Sequence, residues 1–516
     1  MSSTADPVRI GSFAHSPASF ADVWARAVDQ RPDSTFLVFE RPDGSAASWT
    51  YEQFDAAVGD VAAGLIQRGV APGSSVHLAL ANSPAFVALW LAANRLGAWI
   101  VPSDPMGKAP ELADHIGRTR PEAGFCAADR ADVYRQAAAC RPEMAVTELD
   151  EADDSFSMLV GSARVDWPAV ALTDRAAVMF TSGTTGRPKG VEITQANYAF
   201  CGHVMAERAE LASCDRHLVV LPLFHANAQY YSFASAIWAG ASVALMPAFS
   251  ARGFLRQAAR HRATCASLFA APMRLILARG EPSGGVGLRH CWYAQNIAED
   301  QYETLAKWFG CRPRQLYGMT ETVPAVLTEP PGDPVASSMG RVTPGCRVTV
   351  RHGEVLVGGE PGLTLFAGYL DDPETTAASF TADGWFRTGD QARVDADGRH
   401  YFGGRHSDVL KVAGENVSVV EVESVLASHP AVLEAAVVGV PDPVRDEVPV
   451  AFVVPADAAR PPSDGELASW CQKRLAKAKL PRSFTLVEEL PRTSVGKIRK
   501  FLLRQDAKAP QEATRR

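Results

Sequence analysis

Ten consecutive residues, Thr181-Ser182-Gly183-Thr184-Thr185-Gly186-Arg187-Pro188-Lys189-Gly190, combine three glycines, four hydroxyls and one lysine. Glycine lets backbone N–H groups close on an anion, hydroxyls add donors, and an ammonium adds a compact positive charge. The stretch therefore suits a polyphosphate. It is not a Walker A loop, because the GxxxxGK[ST] spacing is absent. Its lysine is itself unusual: the 51 basic residues include 10 lysines, and only Lys108, Lys189, Lys307 and Lys411 precede residue 473. Arginine-favouring codon usage accounts for the ratio, but each remaining lysine marks a position to inspect.

The loop resembles the phosphate loop of the adenylate-forming superfamily of acyl-CoA synthetases, adenylation domains and luciferases. The other motifs of that superfamily follow in order across nearly the whole chain. Gln315-Leu316-Tyr317-Gly318-Met319-Thr320-Glu321-Thr322 is similar to the YGxTE motif. By that resemblance Tyr317 stacks on adenine, Thr320 reaches the α-phosphate, and Glu321 holds Mg²⁺ bridging phosphate oxygens. Gly384-Trp385-Phe386-Arg387-Thr388-Gly389-Asp390 resembles GWxxTGD, whose aspartate, here Asp390, accepts from both ribose hydroxyls.

Residues 404–416 resemble the hinge motif, with Arg405 on the nucleotide, Lys411 on a family lysine, and Gly414 leaving room for the pantetheine arm. Ser407 occupies the hinge position where many relatives carry Asp or Lys. Pro491–Lys500 resembles PRTxxGKIxR, so Lys497 is implied to bridge the substrate carboxylate and the α-phosphate in the transition state. Leu221–Gln229 corresponds to the segment bordering the acyl pocket, which implies substrate contacts for His225, Asn227, Gln229 and Gly318, with His225 as a gate. Small side chains at Ala226, Ala228 and Ala325 leave room there for a bulky or long apolar acid.

Two departures stand out. Tyr293-Ala294-Gln295-Asn296-Ile297 replaces the Gly-Gly-Ala-Pro-like turn under adenine, and Gln195 stands where relatives often have histidine. The first, together with His225–Gln229, resembles the crotonobetaine/carnitine-CoA ligase branch.

The resemblance implies an acid–thiol ligase using ATP, Mg²⁺ and coenzyme A. The carboxylate attacks the α-phosphate to give acyl-adenylate and pyrophosphate, and the CoA thiol then displaces AMP, so one hard acyl transfer becomes two easier ones. No aspartate near Phe224 is available for an α-amine, which disfavours a free amino acid. No carrier domain follows Lys497, which favours free CoA as acceptor. Three alternatives remain: an enzyme loading a separate carrier protein, a ligase accepting only preformed acyl-adenylate, and a non-catalytic nucleotide- or acyl-binding module.

The elements that must position these residues have an α/β rhythm. Tyr51, Phe54, Val58, Val61 and Leu65 recur at helical spacing with Gly69 as a stop. Val76, Leu78 and Leu80 alternate as in a strand, Phe86 to Ala93 mark a helix ending near Gly97, and Ala98–Val101 reads as a buried strand. Alternation at this pitch predicts parallel sheet with covering helices. The apolar strand Ala176–Phe180 feeds the phosphate loop. Past Glu329–Pro334 short glycine-rich strands suggest a small β-rich subdomain, and a compact α+β pattern closes the chain.

The expected fold is α/β: a large N-terminal domain, residues 1–403, of two α/β subdomains plus that β-rich subdomain, and a small mobile α+β C-terminal domain, residues 404–516. At 516 residues the chain exceeds one core. A net charge of -7 argues against nucleic acid as the main partner. Nine scattered cysteines without a CxxC pair suggest neither a disulfide framework nor zinc, and fit a cytoplasmic location. The start carries no secretory pattern. The uncharged stretch between Arg216 and Arg252 reads as a buried helix followed by a buried strand, not a membrane span. Oligomeric state is not legible.

Overall fold

The computed structural model describes residues 18–150, 156–181, 188–332, 334–405, 409–412, 415–492 and 498–513. Local sequence signals place the elements closely. Thr50 accepts from the Gln53 N–H and opens the helix Tyr51–Gln67, and Gly69 follows it with φ +87°, a conformation glycine adopts without a Cβ penalty. Ser83 caps the helix Pro84–Arg95 with proline in its first turn. The predicted strands appear as Ser75–Ala79, Trp99–Pro102 and Arg175–Thr181.

Two large sheets form the body. The nine-stranded sheet runs Arg341–Val342, Leu327–Thr328, Arg314–Tyr317, His290–Ala294, Cys265–Phe269, Arg216–Val219, Ser242–Leu245, Thr35–Glu40, Ala46–Thr50. Its strands from Arg314–Tyr317 to Thr35–Glu40 are parallel. The seven-stranded sheet runs Gly368–Tyr369, Lys189–Thr194, Arg175–Thr181, Trp99–Pro102, Ser75–Ala79, Ala123–Ala127, Ala145–Leu149. It is parallel from Arg175–Thr181 onward, and the Lys189–Thr194 strand turns back antiparallel. Ligands of such sheets sit beyond the carboxyl ends of the parallel strands, where Thr181, Ala294–Ile297 and Tyr317–Thr322 are found.

One apolar core joins the two sheets through aromatic contacts. Trp90 lies 5.3 Å from Tyr198, which lies 5.7 Å from Tyr230. These rings connect the helices Pro84–Arg95, Gln195–Arg208 and Asn227–Ala234. The uncharged stretch is the buried helix and strand that its composition predicts: Asn227–Ala234 is a π-helix continued by the α-turn Ser235–Ala239, followed by the strand Ser242–Leu245. No described helix is long and apolar enough to cross a membrane.

An antiparallel sheet of Arg347–Arg351, Glu354–Gly358, Phe386–Val394 and His400–Arg405 forms the β-rich unit. Beyond it, Val409–Val412, Glu415–Ser418, Val432–Asp442, Asp446–Pro455 and Phe484–Leu486 make a five-stranded sheet with its own apolar cores.

Candidate active site

The strand Arg175–Thr181 leaves toward the phosphate loop, and the chain returns as Lys189–Thr194 with Thr181 paired opposite Lys189. Ser182, Gly183, Thr184, Thr185 and Gly186 lie outside the described residues, but the flanks are held firmly. Arg118 donates to the Pro188 carbonyl at 2.7 Å and covers the Phe180 ring, on which His115 stacks at 3.9 Å. Lys189 points its ammonium at the ring of Tyr369, 4.5 Å from the centroid, an attractive cation–π placement.

Tyr369 also reaches the next motif. After the strand Arg314–Tyr317 the chain turns through Thr320–Thr322 as a single 3₁₀ turn. Thr322 Oγ1 closes that turn by accepting from the Met319 N–H at 3.0 Å. Val323 follows at φ +67°, a strained state for a β-branched residue and one that clusters at functional sites. Glu321 is buried, and its carboxylate accepts from the Tyr369 hydroxyl at 3.0 Å. Burial pushes the Glu321 carboxyl above its ordinary range, while its backbone hydrogen bond, Tyr369 and the charges of Lys189 and Arg405 pull it back. Thr320 is half-buried on the same turn.

Asp390 faces Arg405 across the small antiparallel sheet. Arg405 Nε donates to Oδ1 at 2.7 Å, and the Tyr317 hydroxyl donates to Oδ2 at 2.8 Å. Burial, then the Asp390 charge, keeps the Tyr317 phenol protonated and hence a donor. Each carboxylate oxygen retains one acceptor site, so Asp390 can still receive a pair of vicinal hydroxyls. The sequence motifs at 189, 317, 321, 390 and 405 thus meet in one place. Tyr369, which links two of them, carries no motif signal.

The metal-binding capacity is modest. Among the described residues no group of three or more His, Cys, Asp or Glu side chains converges. Mg²⁺ that travels with ATP needs only one or two carboxylates plus phosphate oxygens, which the buried carboxylate of Glu321 fits.

On the side that the resemblance assigns to the acyl group, Gly318 leaves little room for a side chain. A Cβ there would sit 3.0 Å from the Tyr231 hydroxyl and 3.0 Å from the Pro324 carbonyl. The π-helix is pinned to the Thr320–Val323 turn by Cys201, whose thiol reaches both the Tyr230 and Val323 carbonyls. His225 is half-buried with its ring 4.4 Å from Phe224. Gln229 is fully buried: it accepts from the Tyr198 hydroxyl and donates to the Leu223 carbonyl. Its amide therefore holds the scaffold in shape. Asn227 is 4% exposed, and neither of its amide atoms has a partner. Gln195 is buried, accepting from the Ala21 N–H and donating to the Asn94 carbonyl.

The turn 293–297 has a feature its sequence conceals. Gln295 adopts φ +74°, so the backbone takes the left-handed bend without a glycine. The Tyr293 hydroxyl donates to the Ala336 carbonyl, and Gln315 Nε2 donates to Asn296 Oδ1 at 3.1 Å. Arg274 donates to the Asn296 carbonyl at 2.8 Å and lies 3.7 Å from Glu434 in the five-stranded sheet. Glu434 also binds Arg492, and Arg492 bridges Ile498, so the pair brackets residues 493–497. Lys497, Ser407 and Gly414 lie outside the described residues. Lys411 is exposed on the strand Val409–Val412, its N–H donating to Glu447. It belongs to a different sheet from the Glu321 and Asp390 group.

Residues 24–370 match the AMP-binding enzyme family, and residues 421–497 match the AMP-binding enzyme C-terminal domain. The crotonobetaine/carnitine–CoA ligase of Salmonella typhimurium strain LT2 is 31% identical over 493 residues, 90% of this chain and 95% of that protein. The anthranilate CoA ligase AuaEII, solved with anthranoyl-AMP, superposes with a TM-score of 0.86 at 26% identity over 96% of this chain and 98% of that one. ATP-bound MatB from Rhodopseudomonas palustris gives 0.84 at 27% identity, covering 95% of this chain and 99% of that one. The chain thus belongs to the AMP-binding family of adenylate-forming enzymes, as an ATP-dependent acyl-CoA synthetase of the crotonobetaine/carnitine–CoA ligase branch.

Proposed function

We propose that Lys497, Thr320, Glu321 and the 181–190 loop manage the phosphates while a carboxylate with an apolar body attacks ATP, and that the resulting acyl-adenylate is passed to CoA. The observation that carries this assignment is the continuous contact set from Lys189 through Tyr369 to Glu321, beside Tyr317–Asp390–Arg405. The first group suits phosphates and the second a nucleoside. Mg²⁺ bound at Glu321 would neutralise phosphate charge.

Residues 1–403 and 404–516 are the two parts that move relative to one another in this reading, about Ser407, bringing Lys497 forward for adenylation and Gly414 for thioester formation. The acid enters beside Gly318, Ala226, Ala228 and Ala325, whose small side chains leave volume for a bulky or long chain. The unpartnered Asn227 amide suits a single polar substituent on that acid. The free cysteines fit a reducing cytoplasm.

Loss of adenylation is the specific rival raised by Tyr293–Ile297. The left-handed Gln295 backbone favours retention, since the bend is preserved without glycine. Measuring ATP–pyrophosphate exchange and thioester formation separately, across aromatic, fatty, polycyclic and small polar acids, tests the whole reading. Exchange and thioester with a bulky acid are expected. Thioester formation from preformed acyl-adenylate without any exchange would replace it with the rival, and preference for small polar acids alone would overturn the pocket assignment.

A further inference from the structure

At the opposite ends of the strands that carry the adenine-side turn and Tyr317 lies a cavity of about 200 Å³ whose lining includes Glu210, Arg289, His290, Cys311, Arg312 and Arg314. His290 begins the strand that ends at Ala294, and Arg314 begins the strand that ends at Tyr317. Both side chains are more than nine-tenths buried, Arg314 at 6% exposure and His290 at 3%. Each has a nitrogen with no hydrogen-bond partner: Arg314 Nη2 and His290 Nε2.

The remaining bonds of the pair fix their state. Arg314 Nε donates to the Glu329 carbonyl at 2.8 Å, and Nη1 lies 3.5 Å from His290 Nδ1. Arginine only donates, so His290 Nδ1 is the acceptor and Nε2 carries the hydrogen. Burial, and next the Arg314 charge, hold His290 well below the usual imidazole range. The ring is thus a neutral donor beside a buried guanidinium.

Among the described residues, the surrounding carboxylates are mostly committed elsewhere. Asp215 pairs with Arg289, Glu303 pairs with Arg312, and Glu329 faces Arg399 at 3.5 Å. Glu210 lines the cavity and opposes the cations. Arg208 contributes a further positive charge near Arg314. Buried donors without acceptors are costly. A water can accept from both nitrogens; what an oxyanion adds is a charge opposite to that of the buried guanidinium.

We propose that this cavity binds a phosphate-type oxyanion, either inorganic phosphate or the phosphate end of a small phosphomonoester, with Arg314 Nη2 and His290 Nε2 as its buried donors. Guanidinium geometry matches two phosphate oxygens at once, which makes arginine the usual partner for this chemistry. The site is separate from the nucleotide groups, and the inference does not depend on which acid is activated.

The test is calorimetric titration of the full chain with inorganic phosphate, at fixed ionic strength and with a saturating non-hydrolysable ATP analogue, whose three phosphates fill the nucleotide site. One saturable site is expected, weakened about tenfold or more in Arg314→Gln, as loss of a charged hydrogen bond implies. Arg312→Gln changes a half-exposed side chain at the cavity and serves where Arg314→Gln fails to fold; it should weaken binding too. Glycerol 3-phosphate forms the second arm: tighter binding than phosphate assigns the site to a phosphomonoester, weaker binding to the free ion. No saturable heat in the unaltered protein, or equal binding by the folded arginine variants, would overturn the proposal.

Discussion

Glu321 accepts its hydrogen bond from Tyr369, a residue 48 positions further along the chain, at 3.0 Å. Tyr369 sits on the short strand that extends the seven-stranded sheet beside Val191, whereas Glu321 follows the nine-stranded sheet. This one bond therefore fastens the phosphate-side lysine and the buried carboxylate into a common frame.

Removing the hydroxyl should alter the pH dependence of the first half-reaction. Tyr369→Phe takes away a bond that favours the ionised carboxylate, so the Glu321 carboxyl rises further above its ordinary value. The acid limb of ATP–pyrophosphate exchange should move to higher pH by about one unit, as expected for a hydrogen bond to a charged group. An unmoved limb with reduced rate would assign Tyr369 a purely structural part.

Lys497→Ala should slow pyrophosphate exchange by roughly two to three orders of magnitude, the usual cost of losing a preorganised charge at a developing anion. Thioester formation from supplied acyl-adenylate should survive. Parallel assays of the two half-reactions decide this.

Arg274 joins the 293–297 turn to Glu434, which also pairs with Arg492. Arg274→Gln removes the charge between these parts. Exchange should fall about tenfold, as loss of a partly buried ion pair implies, with a smaller change in the thioester step. Equal losses in both half-reactions would argue for general destabilisation.

Backbone conformation at Gln295 gives a stability prediction. Its φ of +74° is disfavoured for any residue with a Cβ and most for a branched one. Gln295→Val should lower stability by about 1–2 kcal/mol, whereas Gln295→Gly should match or exceed the parent. Thermal unfolding midpoints of the two variants test the order.

Much of the site is legible in the sequence because its groups are carried on contiguous motifs at strand ends, where glycines and hydroxyls mark a chain reversal beside an anion. Lys189, Tyr317, Glu321, Asp390 and Arg405 fall into this class, and the strands that deliver them alternate as their hydrophobic pattern predicts. Partnerships across sheets leave no such mark. Tyr369, Arg274 and Glu434 act through contacts with residues tens to hundreds of positions away, and neither spacing nor periodicity encodes those. Gln229 illustrates a subtler difference: resemblance places it at the acyl pocket, while its amide is bound on both ends by Tyr198 and Leu223. The His290–Arg314 pair is likewise silent in sequence, being two ordinary polar residues at the starts of adjacent strands.

The π-helix Asn227–Ala234 has a consequence for how this enzyme changes its acid. A π-turn holds one more residue than an α-turn, so the segment stores a removable residue in the wall beside Gly318. Deleting one position there would relax the coil to α geometry, the flanking turns keeping their register because the extra residue is absorbed within the π segment. Asn227, Tyr230 and Tyr231, inside the segment, would be re-aimed together. Because the Cys201 thiol reaches both the Tyr230 and Val323 carbonyls, a change of segment length would also be felt at the turn that carries Glu321.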